Sequence, residues 1–208
     1  MPPRFKFTRE EIINAAVDVA SEKGITAVTA KSIAEKLDVS TQPVFTCFTS
    51  MVEARKEVYT AAERKFDGYV AEGLSESIPF FGFGKAFLRF VREEPELYKL
   101  LFLTVKNEYS LGALYQTERT KKLVCPKVAE FYAMTAEQSE IYFEDMWLVS
   151  LGIATMYVTD SCPYSEARIN DILTQCSIGF CKAIKEIEGF GSDKFDKDKS
   201  FSLLVNKK

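Results

Sequence analysis

The chain contains no histidine. That removes the Ser-His-Asp and Cys-His arrangements of nucleophilic catalysis, and every metal site built on imidazole. Cysteine is sparse: Cys47, Cys125, Cys162, Cys176 and Cys181 are all there is. They show no metal-ligand spacing, and an odd number cannot pair completely, so they read as reduced cytosolic thiols. No apolar run is both long enough and free enough of charge to cross a bilayer, and no signal peptide opens the sequence. The expected location is therefore cytoplasmic, with no membrane partner. No glycine-rich loop cradles phosphate either; Gly82-Phe83-Gly84 lacks the remaining spacing. Carboxylate pairs such as Glu93-Glu94 and Glu144-Asp145 read as solvated helix faces. No catalytic residue, metal or cofactor is expected.

What is present is helical periodicity. The 208 residues are enough for a second core beyond a small N-terminal unit. Thr8 and Glu11 have the spacing of a capping box, in which hydroxyl and carboxylate each satisfy an orphan backbone donor. Ile12, Ala15, Ala16, Val19 and Ala20 then share one helical face. Gly24 supplies a left-handed stop. Thr29 can cap a second helix burying Ile33, Ala34 and Leu37. Asp38 and Val39 make a turn, with Val39 plugging the gap between helices. Ser40 can cap a third helix to about Phe48, with Pro43 in its first turn, where a missing N–H costs little. Val44, Phe45 and Phe48 supply its buried side. Two short helices this close in sequence are the geometry that delivers one helix into a DNA major groove.

These residues resemble the tetracycline-repressor (TetR) family of transcriptional regulators. The resemblance rests on Gly24, on Val28-Thr29 before SIAEKL, on Val39-Ser40, and on the aromatic residues closing the third helix. Three positions depart from the family pattern. Asp38 stands where Gly is usual, and Asp tolerates a left-handed conformation better than most residues. Phe45 stands for a Tyr and Met51 for a Lys, and neither can donate the phosphate hydrogen bonds those residues often make.

The resemblance implies an all-α protein: a helix-turn-helix DNA-binding domain over residues 1–50, then a helical ligand-binding and dimerisation domain over 51–190. A poorly ordered tail is expected from 191 to 208. About nine helices are expected, including Val52 to about Ala71, Phe80–Glu93, a start at Pro95, Leu114–Met134 kinked or broken at Pro126, Glu137–Thr159 and Glu166–Ile187. The implied function is a ligand-responsive regulator, expected to be a repressor, that binds a pseudo-palindromic operator as a homodimer.

Within that reading Gln42 and Thr41 are the base-edge candidates, since an amide can pair bidentately with adenine. Lys31, Ser40 and Thr46 suit phosphates, and Val44 and Phe45 suit apolar contacts with sugar or thymine methyl. Arg4, Lys6 and Arg9, with Phe5 and Phe7 between them, suit an arm near DNA. Yet the first fifty residues hold as many acids as bases, and the whole chain carries a net charge of −3. Few phosphate contacts per subunit are therefore expected. A small apolar or aromatic effector is expected among Phe66, Tyr69, Phe87, Phe90, Phe102, Tyr109, Tyr115 and Trp147, residues that ordinary core packing would also explain. Gly152, Ala154, Gly179 and Ala183 are small enough for close helix approach across a dimer interface. Two other readings stay open: a coactivator or adaptor of the same fold controlled by a protein partner, and a helical-bundle enzyme or carrier.

Overall fold

A computed structural model describes residues 7–205. Arg4, Phe5 and Lys6 of the expected arm lie outside the described residues. Ten α-helices carry the fold, and no strand occurs among the described residues. The chain divides into two compact units, Met1–Ala71 with Arg89–Thr120, and Glu72–Leu88 with Lys121–Lys208.

The first unit opens with α1 (Arg9–Lys23), capped as its sequence predicts. The Glu11 N–H donates to Thr8 Oγ1 at 3.2 Å, and the Thr8 N–H donates to the Glu11 carboxylate at 2.7 Å. Donation by the Thr8 N–H, and then by the Thr8 hydroxyl at 3.0 Å, holds the Glu11 carboxyl below its ordinary range. The five predicted apolar residues are all buried. Gly24 ends the helix with φ +82° and ψ 163°, a positive φ with extended ψ rather than the left-handed helical stop expected. A Cβ there would also sit 2.9 Å from the Glu96 carboxylate, the movable tip of a side chain.

α2 (Ala30–Lys36) begins with a second reciprocal box, Ser32 N–H to Thr29 Oγ1 at 3.1 Å and Thr29 N–H to Ser32 Oγ at 3.0 Å. Ile33 and Ala34 are buried, but Leu37 and Val39 are only half-buried. Asp38 carries the turn at φ +54°, the conformation the sequence assigns to it. α3 (Gln42–Cys47) follows, with Pro43 in its first turn. Its cap position is Thr41, not Ser40, and no side chain closes it, so the predicted Ser40 cap does not form. Val44 and Phe48 anchor the helix at 0% and 2% exposure, whereas Phe45 is 63% exposed and leaves the predicted buried side.

α4 (Met51–Leu74) starts on a Ser50–Glu53 cap. Its residues Ala54, Val58, Ala62, Phe66 and Val70 recur every four positions and are all buried, joined by Tyr59. α5 (Pro79–Glu93) leads to α6 (Pro95–Tyr98), whose Pro95 occupies the first turn as expected. A π-helical turn over Lys99–Leu103 buries Leu100, Leu101 and Phe102. Glu94, between α5 and α6, is nearly buried, and it accepts hydrogen bonds from Ser21 of α1 and from Lys65 of α4.

The second unit holds the start of α5, the part of α7 (Ala113–Tyr132) from Lys121 onward, α8 (Ala136–Val158) and α9 (Glu166–Glu186). α7 runs through Pro126 without a break. The missing N–H leaves the Lys122 carbonyl without its helical donor; both residues are exposed. Thr135 and Gln138 cap α8 reciprocally, and Ser165 caps α9. The ends of α4 and α5 touch through their backbones: a Cβ on Gly73 would lie 2.7 Å from the Gly82 carbonyl oxygen. α10 (Lys197–Val205) lies in the stretch expected as a poorly ordered tail. No helix among the described residues is long and apolar enough to cross a membrane.

Candidate nucleic-acid interface and ligand-binding region

α3 is a six-residue helix fixed from one side only. With Val44 and Phe48 buried, the adjacent positions Ser40, Thr41, Gln42, Phe45 and Thr46 are all exposed. The Thr46 hydroxyl donates to the Gln42 carbonyl at 2.9 Å, which leaves its lone pairs free to accept. The Gln42 side chain projects from the first turn of α3, beside Pro43, which has no N–H of its own to satisfy. Val44 is the correction: at 0% exposure it cannot touch a groove and belongs to the core. Phe45 takes the opposite role, a large apolar side chain left in solvent.

The charges around this face are largely engaged. Arg9 donates to Glu57 at 2.6 Å and lies 3.6 Å from Glu53. Lys36 pairs with Glu22, which lies below the ordinary carboxyl range because of that bond. Lys31 lies 3.7 Å from Glu35, with both side chains largely exposed. Such a pair contributes little in water and competes weakly with a phosphate. Arg55 is half-buried; its Nη2 donates to the Val28 carbonyl at 3.2 Å, and the guanidinium lies 5.9 Å from the Tyr109 ring centre. It therefore ties the entry of α2 to α4 and to the segment before α7.

The eight aromatic residues expected around a ligand fall into separate groups. In the first unit Phe66 packs on Phe90 and on Phe102, both at 5.1 Å between ring centres, and Tyr69 packs on Phe90 at 5.3 Å. Phe66 and Phe90 are fully buried. Tyr69 donates to Glu93 at 2.6 Å; burial first, and that bond second, push its phenol up to about 12. Tyr109 is half-buried against Arg55, and Tyr115 is 44% exposed, outside the cluster. In the second unit Phe87 and Trp147 pack at 4.8 Å, and Phe83 and Phe143 stack on the same indole. Rings in such contact serve as core first.

The four small residues expected at a dimer interface also divide. Gly152 and Gly179 are exposed, and a Cβ on either would meet nothing within 4 Å. Ala154 is fully buried and serves packing inside the subunit, and Ala183 is half-buried. The sequence reading missed Leu148 and Ile178, which are 69% and 62% exposed beside those glycines. The available signal was spacing: Leu148 and Gly152 are one turn apart on α8, and Ile178 and Gly179 are adjacent on α9.

A cavity of about 400 Å³ is lined by Phe7, Thr8, Arg9, Ile12, Pro43, Thr46 and Cys47. Burial there pushes the Cys47 thiol up, against the opposing pull of Arg9.

No protein-family model matches the sequence, and no curated protein matches it. Solved structures do. The multidrug binding protein EbrR, solved with imidazole, aligns over 85% of this chain and 96% of its own, at 20% identity and a TM-score of 0.55. A TetR-family member from Streptomyces coelicolor A3 aligns over 81% and 96%, at 21% identity and a TM-score of 0.57. EbrR complexed with proflavin aligns over 81% and 98%, at 20% identity and a TM-score of 0.51. With its α2–turn–α3 head and helical remainder, this chain has the fold of the TetR-family regulators.

Proposed function

We propose that this protein is a ligand-responsive transcriptional regulator, acting as a repressor, that binds a pseudo-palindromic operator as a homodimer through α3. The observation that carries the reading is the sidedness of α3: two buried anchors, Val44 and Phe48, and beside them an exposed set containing Gln42, Thr41, Ser40, Phe45 and Thr46. A helix held only from behind is free to enter a groove. Gln42 and Thr41 read base edges, Lys31, Ser40 and Thr46 meet phosphates, and Phe45 lies against sugar or a thymine methyl. Residues 1–50 act as the reading head, and residues 51–190 take the effector and the second subunit.

Two copies pair through the exposed strip of α8 and α9 around Leu148, Gly152, Ile178 and Gly179. Pairing brings the two heads to half-sites about 34–36 Å apart, or a multiple of the helical turn. The effector acts by preferring one head spacing over the other. Its expected class, small and apolar or aromatic, agrees with the imidazole, proflavin and ethidium found in the EbrR complexes. The charge balance of the head implies that dimerisation supplies much of the useful affinity.

Selection of duplexes from a random pool tests the reading. The expected product is an inverted repeat whose recovery falls with salt, and whose selectivity is lost in Gln42→Ala while the fold persists. A pool that never converges would overturn the reading.

A further inference from the structure

Arg9 is the first residue of α1, a place that suits a carboxylate rather than a cation, because the helix dipole presents its positive end there. Its side chain reaches instead to the corner where α3 hands over to α4. Nη2 of Arg9 donates to Glu57 at 2.6 Å and lies 3.6 Å from Glu53. The guanidinium carbon stands 5.8 Å from the ring centre of Phe48, the residue that ends α3. Glu53 completes the corner. Its second oxygen accepts from the Thr49 N–H at 2.8 Å and from the Thr49 hydroxyl at 2.7 Å. Arg9 thus meets α4 directly, and it meets the Phe48–Thr49 exit of α3 through a ring and a shared carboxylate.

Apolar packing alone does not set the angle of α3 against α1. The cavity of about 400 Å³ lies between them, with Ile12 on one side and Pro43, Thr46 and Cys47 on the other. Surfaces that do not touch cannot fix each other's orientation. Val44 and Phe48 pin α3 from behind, but two anchors one turn apart define an axis about which a short helix can still rock. Nor does the corner suit a phosphate. One guanidinium faces two carboxylates, so the corner is net negative, and a phosphate would have to displace Glu57 from a bond already made. Exposed ion pairs add little to folding stability, and the Arg9 side chain is half exposed. What the bridge supplies is geometry.

We propose that Arg9 is a positioning residue for the reading helix: it ties the α3–α4 corner to the start of α1, and so sets the angle at which α3 presents Gln42 and Thr41 to base edges, without binding phosphate itself. The role deepens the regulator reading and rests on it. It also reassigns Arg9, which the sequence alone groups with the basic arm.

Four forms of the full chain test it: wild type, Arg9→Gln, Glu57→Gln, and the exchanged pair Arg9→Glu with Glu57→Arg. Each is titrated with the selected operator and with a scrambled duplex across a salt series. Arg9→Gln is expected to lower the ratio of operator to scrambled affinity about 10-fold, the scale of one misplaced base contact. Its salt slope and melting temperature should stay those of the wild type. A lost phosphate contact would instead weaken both duplexes alike and reduce the slope by about one. Glu57→Gln separates the two roles by sign. An Arg9 freed to meet phosphate would tighten both duplexes, whereas an Arg9 deprived of its anchor loses selectivity as Arg9→Gln does. The exchanged pair keeps one base against two acids, and it should return selectivity to within about 3-fold of the wild type. Unchanged selectivity in both single variants, uniform weakening with a shallower slope, or tighter binding of both duplexes by Glu57→Gln overturns the role. A wild-type pool that never converges removes the regulator reading and this role together. A converged operator read equally well by every variant removes this role alone.

Discussion

Tyr142 of α8 and Ser177 of α9 share a hydrogen bond of 2.6 Å that joins the two helices. Tyr142 is fully buried, and burial pushes its phenol far above the ordinary tyrosine range. Removing the hydroxyl and removing the ring should therefore have different consequences. Tyr142→Phe is expected to cost about 1 kcal/mol, the net worth of one hydrogen bond. Tyr142→Ala should cost about 3–5 kcal/mol through the cavity it leaves. Urea unfolding of both variants checks the pair.

The nearly buried Glu94 makes a second test of stability. Lys65→Met would leave a buried carboxylate with Ser21 alone, whereas Glu94→Gln keeps an acceptor and removes the charge. Lys65→Met should therefore be the costlier change, by about 1–3 kcal/mol relative to wild type. Denaturation midpoints at neutral pH measure the order, and the opposite order would show that the Lys65 pair contributes little.

Tyr69 contributes to the alkaline limb of stability. Its folded pKa is raised to about 12 by burial and by its bond to Glu93. Unfolded tyrosine loses its proton near ~10, so above that pH the unfolded chain holds fewer protons than the folded one. The stabilisation is complete below ~10 and declines as pH rises toward about 12. Thermal melts across this interval should fall with pH, and Tyr69→Phe should flatten the fall.

On the head, two substitutions on the same short helix should separate stability from recognition. Val44→Ala opens a fully buried position and should cost roughly 1–3 kcal/mol. Gln42→Ala is exposed and should change stability by less than about 0.5 kcal/mol. On a selected operator it should lose roughly 1–3 kcal/mol of discrimination. Calorimetry and competition footprinting read the two effects independently.

The proposed pairing of subunits is tested on its exposed apolar residues. Leu148→Glu or Ile178→Glu places a charge on the strip without touching the core of the unit. Sedimentation should show a dimer for the wild type and a monomer for either variant, with an unchanged helical spectrum. A monomeric wild type would remove this interface.

The backbone of the fold was legible because its signals are local. Thr8–Glu11, Thr29, Asp38, Pro43 and Pro95 each act within one turn of chain, and the structure uses every one as read. The failures concern distance or sidedness. Val44 and Phe45 are adjacent and both apolar, and only the packing of α3 decides which is buried. Ala154 looks like an interface residue by size, yet it is inside. The burial of Gln116 was not legible, because a lone glutamine on a helix reads as surface. Its burial depends on Tyr59 and Glu63, more than fifty positions away.

The meeting of Gly73 and Gly82 has a practical corollary for anyone altering this chain. Even one methyl group at either position would press into the peptide of the other, 2.7 Å from one and 2.2 Å from the other. Rigid main chain cannot rotate aside as a side-chain tip can. Randomised libraries selected for folded protein should return glycine at both sites, however freely the flanking positions drift. The two must also be inherited together, since neither gap can be closed by enlarging its counterpart.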